Sequence, residues 1–335
     1  MAVPEIGGVP LVTLAADILL FLLKVCICAS VETSALFARA EKKFVIFIGV
    51  TCQFVILPFC GFIIAEVLHL EPVYGMALMV IMTSPGGSYS NWWCSLFNAD
   101  LAMSVAMTGA STIVGVVMLP INLTAYCTLL YGQSVLSAGQ FKSVWISLGI
   151  ILIALVCGLT VSHIMDSEKA RDRFNKMANF VGIALFLLSC FVSHHQSRTP
   201  AWKQPPLHHL AIGTPIMAAI LVTIGVSSLK PLGLTKPERI AVVIEACYQN
   251  PGLATSIVLN MFTGKDAGDA VAVPLLYGMY EAVLLGCVCF IAHFANWTLV
   301  NPKEMSLWEA MTGNFQYRAE VGYNTKPEQE LAEVE

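Results

Sequence analysis

Two membrane-length apolar tracts of this chain are interrupted by polar, turn-forming residues. One break reads Ser84-Pro85-Gly86-Gly87-Ser88-Tyr89-Ser90-Asn91, the other Glu245-Ala246-Cys247-Tyr248-Gln249-Asn250-Pro251-Gly252. In lipid every unpaired backbone group costs several kcal/mol, so non-helical backbone survives at membrane depth only inside protein or against a wet cavity. Two such breaks at corresponding places in two halves of a chain are the pattern of a secondary transporter's ion and substrate site.

The rest of the sequence supplies the membrane context. Of 335 residues, 57% are hydrophobic and only 12% charged, and the mean hydropathy is +0.74. This excludes an ordinary soluble domain and predicts an all-α polytopic membrane protein. The formal charge of −4 carries no nucleic-acid signal. Apolar runs predict nine spans at roughly 10–31, 44–68, 73–97, 101–131, 143–165, 177–195, 207–229, 240–262 and 270–297. They form a single transmembrane domain over residues 1–300, with an N-terminal half at about 10–131, a C-terminal half at about 143–297, and a flexible cytosolic tail at 301–335 ending in repeated glutamates.

Nine spans place the termini on opposite faces. With the N-terminus outside, the inner loops and tail collect thirteen of the eighteen basic residues, among them Arg39, Lys42, Lys43, Lys169, Lys236, Lys303, Arg318 and Lys326. Lys24 is left inside the first span, two helical turns from Asp17, and is expected to pair with it or to snorkel. No basic residue precedes Lys24, so the first span reads as a retained helix rather than a cleaved signal. The default membrane is the plasma membrane. The third and eighth spans, both broken, run in opposite directions, which predicts an inverted repeat of spans 1–4 on spans 6–9 with span 5 between them.

The breaks have a definite chemistry. Pro85 removes a backbone donor, Gly86 and Gly87 permit non-helical dihedrals, and Ser90 and Asn91 bring neutral oxygens. Such oxygens together with freed carbonyls suit a hard monovalent cation such as sodium. Glu245 and Gln249 share a helix face just before Asn250-Pro251-Gly252, and the carboxylate supplies the charge that a dehydrated cation needs. Ser104 and Thr108 lie four apart on the fourth span and present two more oxygens to one face. Gln53 is an uncomfortable residue in a membrane helix, open to reading as a ligand or as an interhelical hydrogen bond.

These residues resemble the bile acid:sodium symporter family. The resemblance runs from about Lys43 to Pro302. It is carried by the Ser-Pro-Gly-Gly-x-x-Ser-Asn run at 84–91, by Asp100-x3-Ser104-x3-Thr108, and by Glu245-x3-Gln249-Asn250. It implies a core domain in which the two broken helices cross, packed against a panel domain. It also implies two sodium sites, the first using Ser90, Asn91, Ser104, Thr108 and Glu245, the second Gln53, Glu245 and Gln249. The function it implies is sodium-coupled symport of an organic anion of the bile acid or sulfated steroid type. The alternatives are a small carboxylate such as pyruvate or a vitamin precursor, or a receptor-like member that does not transport.

Pro85, Gly86, Gly87, Asn250, Pro251 and Gly252 flank the crossing and are substrate-pathway candidates. Glu281, in the ninth span, joins them or pairs silently with another buried polar group. The substrate's negative charge is expected to meet bound sodium and the helix N-terminus after each break. His194, His195, His208 and His209 lack the spacing of a preformed metal site, and the eleven cysteines, all in apolar spans, suggest neither disulfides nor zinc. No Ser/His or paired-carboxylate motif for enzyme chemistry stands at the breaks. The expected partners are sodium, an organic anion and the lipid bilayer, with no other cofactor; the oligomeric state has no sequence signal.

Overall fold

The structure, a computed structural model, describes residues 5–6, 9–30, 42–87, 89–132, 138–165 and 167–299. A two-residue antiparallel strand pair, β1 (Glu5–Ile6) and β2 (Val9–Pro10), precedes the helices. Among the described residues seven helices are long and apolar enough to cross a membrane: α1 (Leu11–Ser30), α2 (Lys43–Val67), α5 (Leu101–Tyr131), α6 (Ala138–Ile164), α7 (Glu168–Gln196), α8 (Pro206–Ser227) and α11 (Gly264–Phe294). The two tracts with predicted breaks are each a pair of short helices, α3 (Pro72–Met82) with α4 (Ser90–Leu96), and α9 (Lys236–Cys247) with α10 (Pro251–Met261). Each interrupted pair stands where a broken span was predicted. Arg39, Lys303, Arg318, Lys326 and the predicted tail lie outside the described residues.

Helix outer faces carry exposed large apolar side chains, among them Phe47, Phe59, Ile113, Ile153, Phe180, Leu221 and Ile291. In water such a belt would drive aggregation; in a bilayer it is the lipid contact. Helix α1 packs against both α6 and α7, while α2, α3, α5, α8 and α9 form a second group. Helices α10 and α11 touch members of both groups.

Local chemistry explains where the helices bend and stop. Pro58 cannot donate, and its ring would collide with the carbonyl of Phe54 in a regular α-helix. The chain widens there into a π-turn at Cys52–Ile56, and Asn122 Nδ2 of α5 donates to the freed Phe54 carbonyl at 2.7 Å. The second break is an encoded restart. Asn250 caps α10 by accepting from Leu253 N at 3.0 Å, and Pro251 takes the first helical position, where no amide donor is needed. At the end of α3, Thr83 Oγ1 donates back to Met79 O at 2.7 Å and Ser84 Oγ lies 2.9 Å from Ile81 O, carbonyls that also accept the Thr83 and Ser84 amides.

The candidate ion and substrate site

The two breaks meet. Gly87 N donates to Tyr248 O at 3.0 Å, Ser84 Oγ donates to Gln249 Oε1 at 3.1 Å, and Asn250 N donates to Ser84 Oγ at 3.2 Å. A side chain at Gly87 would run into the Gln249 carbonyl and the Tyr248 ring, so glycine is what allows the two backbones this close. Backbone groups orphaned by one break are thus partly satisfied by the other, which is how such a structure persists at membrane depth.

Glu245, 1% exposed, ends α9 beside this crossing. Ser104 Oγ donates to its Oε1, and Thr108 Oγ1 donates to its Oε2 at 2.7 Å. The same two hydroxyls lie 2.7 and 3.3 Å from Asn91 Oδ1, at the start of α4. Ser90, fully buried, donates to Gly87 O at 3.0 Å, and its hydroxyl also interacts with Glu245. All five residues read from the sequence as one cation site therefore come together. Asn91, Ser104, Thr108 and Glu245 form a compact oxygen cluster with a single carboxylate, a donor set that fits sodium.

Gln53 is presented inward by the π-turn, 2% exposed, and its Nε2 has no hydrogen-bond partner among the described residues. A methyl group added at Gly86 would stand 3.5 Å from this atom, 3.5 Å from Glu245 Oε2 and 3.2 Å from Ser111 Oγ. Gly86 thus leaves a small cradle faced by Gln53, Ser111 and the second carboxylate oxygen. Turning the Gln53 amide about its last torsion aims its oxygen there instead, so the cradle also fits a cation. Gln249 is less committed to it: its Nε2 donates to Ala246 O (3.2 Å), while its Oε1 faces Ser84.

Ser84 and Ser111 belong to this site and were not among the side chains read as ligands. Both carried a signal. Ser84 opens the first break, and Ser111 stands seven residues after Ser104, on the face that already holds Thr108.

Next to the crossing lies a cavity of about 270 Å³ between α1 and α7 on one side and α10 and α11 on the other. Its walls include Leu23, Leu185, Phe186, Tyr248, Pro274 and Met279. Of the substrate-pathway candidates, Asn250, Pro251 and Gly252 line it; Pro85, Gly86, Gly87 and Glu281 are not in its wall. Asn250 Nδ2 is buried without a partner among the described residues. Glu281, fully buried, accepts from Gln249 N at 2.9 Å through Oε2, while its Oε1 has no partner among the described residues.

Asp17 does not pair with Lys24. It accepts from Ser256 Oγ (2.5 Å) and from Asn260 Nδ2 (3.1 Å), joining α1 to α10. The histidines do not converge on one point: His194 stacks on Trp202 and meets His195 edge-on, His208 Nδ1 faces Gln204 Oε1 at 2.6 Å, and His209 Nδ1 faces Tyr280 Oη at 2.8 Å.

A bundle of apolar helices with two interrupted tracts meeting at a buried oxygen cluster defines an integral, multi-pass membrane protein. The model of the sodium bile acid symporter family matches residues 17–199, more than half the chain, and the chain belongs to that family. It is 27% identical over 278 residues to the human ileal sodium/bile acid cotransporter, covering 80% of this chain and 77% of that protein. It is 26% identical over 277 residues to the human hepatic sodium/bile acid cotransporter, covering 78% of this chain and 74% of the relative. A human sodium-dependent organic anion transporter is 29% identical over 158 residues, 47% of this chain and 42% of its own length.

Proposed function

We propose that this protein couples sodium entry to uptake of an organic anion of the bile acid or sulfated steroid type, by alternating access about the crossing of the two breaks. The observation that carries the reading is Glu245, a buried carboxylate at the crossing whose two oxygens meet Ser104 and Thr108 and whose second oxygen also faces the Gly86 cradle. One carboxylate shared by two adjacent oxygen sets suits two monovalent cations. The first ion would be held by Ser90, Asn91, Ser104, Thr108 and Glu245, the second by Gln53, Glu245 and Gln249.

The anion would enter the neighbouring cavity, with its apolar body against Leu185, Phe186 and Met279 and its charge toward Asn250 and the N-terminus of α10. Two sodium ions moving with one monovalent anion carry one net charge. A tenfold sodium gradient is worth roughly 1.4 kcal/mol per ion and 100 mV about 2.3 kcal/mol per charge. Together these give about 5 kcal/mol, enough for several-thousandfold accumulation. The relatives named as cotransporters and the absence of enzyme motifs at the breaks support transport over catalysis.

The cavity volume favours one second reading. About 270 Å³ lies just below the usual range for organic-ligand pockets, which suits a small carboxylate. Uptake of labelled taurocholate, a sulfated steroid and pyruvate, with sodium and then with choline outside, separates the two. Sodium-dependent accumulation of either steroid anion supports the first reading, and accumulation of pyruvate alone supports the second. No sodium-dependent uptake of any of them, with surface expression confirmed, counts against both. We further place the protein in the plasma membrane with its N-terminus outside, which antibody access to an N-terminal tag on intact cells tests.

A further inference from the structure

The wall of the cavity beside the crossing comes from α1, α7, the second break, α10 and α11, with one addition. Among its described residues Tyr89 alone belongs to the first break. The Tyr89 backbone is held at the start of α4, where its carbonyl accepts from Trp93 N at 3.0 Å. It stands two residues after Gly87, whose amide meets Tyr248 O, and directly before Ser90 and Asn91 of the candidate ion site. From that anchor the partly buried ring reaches α7.

The far end of the ring has a seat there. A Cβ built on Gly182 of α7 would stand 1.9 Å from Tyr89 Oη, 3.0 Å from its Cζ and 3.4 Å from its Cε2, and these are the nearest atoms it would meet. Glycine at 182 is therefore what admits the phenol, and no other side chain competes for the place. Gly182 lines the cavity too, as do Leu185 and Phe186 one turn further along α7. The ring thus runs from the ion-binding break to the α7 side of the cavity and takes up space that an alanine at position 89 would leave open. Without it the cavity grows from about 270 Å³ into the range usual for organic-ligand pockets, about 300–1,000 Å³.

We propose that Tyr89 is a specificity-determining residue whose ring, seated against Gly182, sets the size of anion that the cavity admits. This rests on the reading of the cavity as the organic-anion site. With the ring seated a compact carboxylate fits. A steroid anion needs the ring to leave its seat, and that displacement weakens its binding. Discrimination of this kind comes from steric conflict in the wall and requires no contact with the anion's charge.

The test measures sodium-dependent uptake of taurocholate, estrone sulfate and pyruvate by cells expressing the full-length protein, and compares half-saturating concentrations, which do not depend on the amount at the surface. Tyr89→Ala is expected to lower the values for the two steroid anions on the order of tenfold and to leave that for pyruvate unlowered. Tyr89→Leu, which keeps an apolar side chain at the break, is expected to act in the same direction and stands in if the alanine variant does not reach the surface. Tyr89→Phe keeps the ring and is expected to keep the wild-type order of preference. Gly182→Ala is expected to raise the half-saturating concentration of the steroid anions several-fold beside Tyr89, and to change it less than about twofold in the Tyr89→Ala background, where nothing remains for the methyl group to strike. Steroid-anion values that neither smaller residue lowers, or a pyruvate value that falls as far as theirs, overturn the selector while leaving the anion site in place. Equal effects of Gly182→Ala in both backgrounds overturn the seat. Absence of sodium-dependent uptake of all three anions by the wild type and every variant removes the proposed function and the selector with it.

Discussion

A carboxylate as deeply buried as Glu245 is sustained by what surrounds it. The Ser104 and Thr108 hydroxyls supply two hydrogen bonds, and a cation would supply the compensating charge. Replacing Glu245 by alanine is expected to abolish sodium-dependent uptake while surface expression persists, checked by flux and surface biotinylation on the same cells. Gly87 is the second sensitive position. Gly87→Ala sets a methyl group against the Gln249 carbonyl, and backbone cannot swing aside as a side chain can. At least a tenfold fall in uptake is expected, together with lower thermal stability of the purified protein. At this scale much was legible. The spacing of Ser104 and Thr108 put both on one helix face, and Glu245 stood out as a charge in an apolar run. Ser111 and the Asp17 contacts were not, because spacing identifies which residues share a face but not which neighbour that face meets.

Single helices carry their own instructions, and several are written at prolines. Pro58 forces the π-turn that turns Gln53 inward, and Asn122 occupies the carbonyl this releases. Asn122→Leu leaves the Phe54 carbonyl buried without its donor. A loss of about 1 kcal/mol is expected from the lost bond, read as a lower unfolding temperature in detergent. At the second break the Asn250 side chain caps α10, and Asn250→Ala is expected to cost about 1 kcal/mol by the same measurement. Both breaks were readable as Pro-Gly cassettes because helix termination is local chemistry. The π-turn was not, since its stability depends on a donor sixty-eight residues away.

Across the whole molecule, α10 presents a polar stripe to the α1, α6 and α7 group. Ser256 meets Asp17 at 2.5 Å and Ser147 at 3.3 Å, and Thr255 meets Ser189 at 3.3 Å. Beyond the end of α7, Asp269 of α11 accepts from Ser197 Oγ (2.5 Å), Arg198 N (2.8 Å) and Arg198 Nη1 (2.6 Å). Because Asp269 is fully buried and gathers three donors, Asp269→Ala is expected to free the segment after α7. Hydrogen exchange should then rise at residues 197–201 while the crossing keeps its protection. The sequence by itself determined the membrane class, the helix tracts and the places where two of them break, because hydropathy and the turn chemistry of Pro, Gly and Asn act within a few residues. Only the tertiary structure decided that the breaks touch, that Asp17 serves α10 and not Lys24, and that a cavity opens next to Asn250. Those outcomes depend on which faces of distant helices meet, and helix packing fixes that through contacts far apart in the chain.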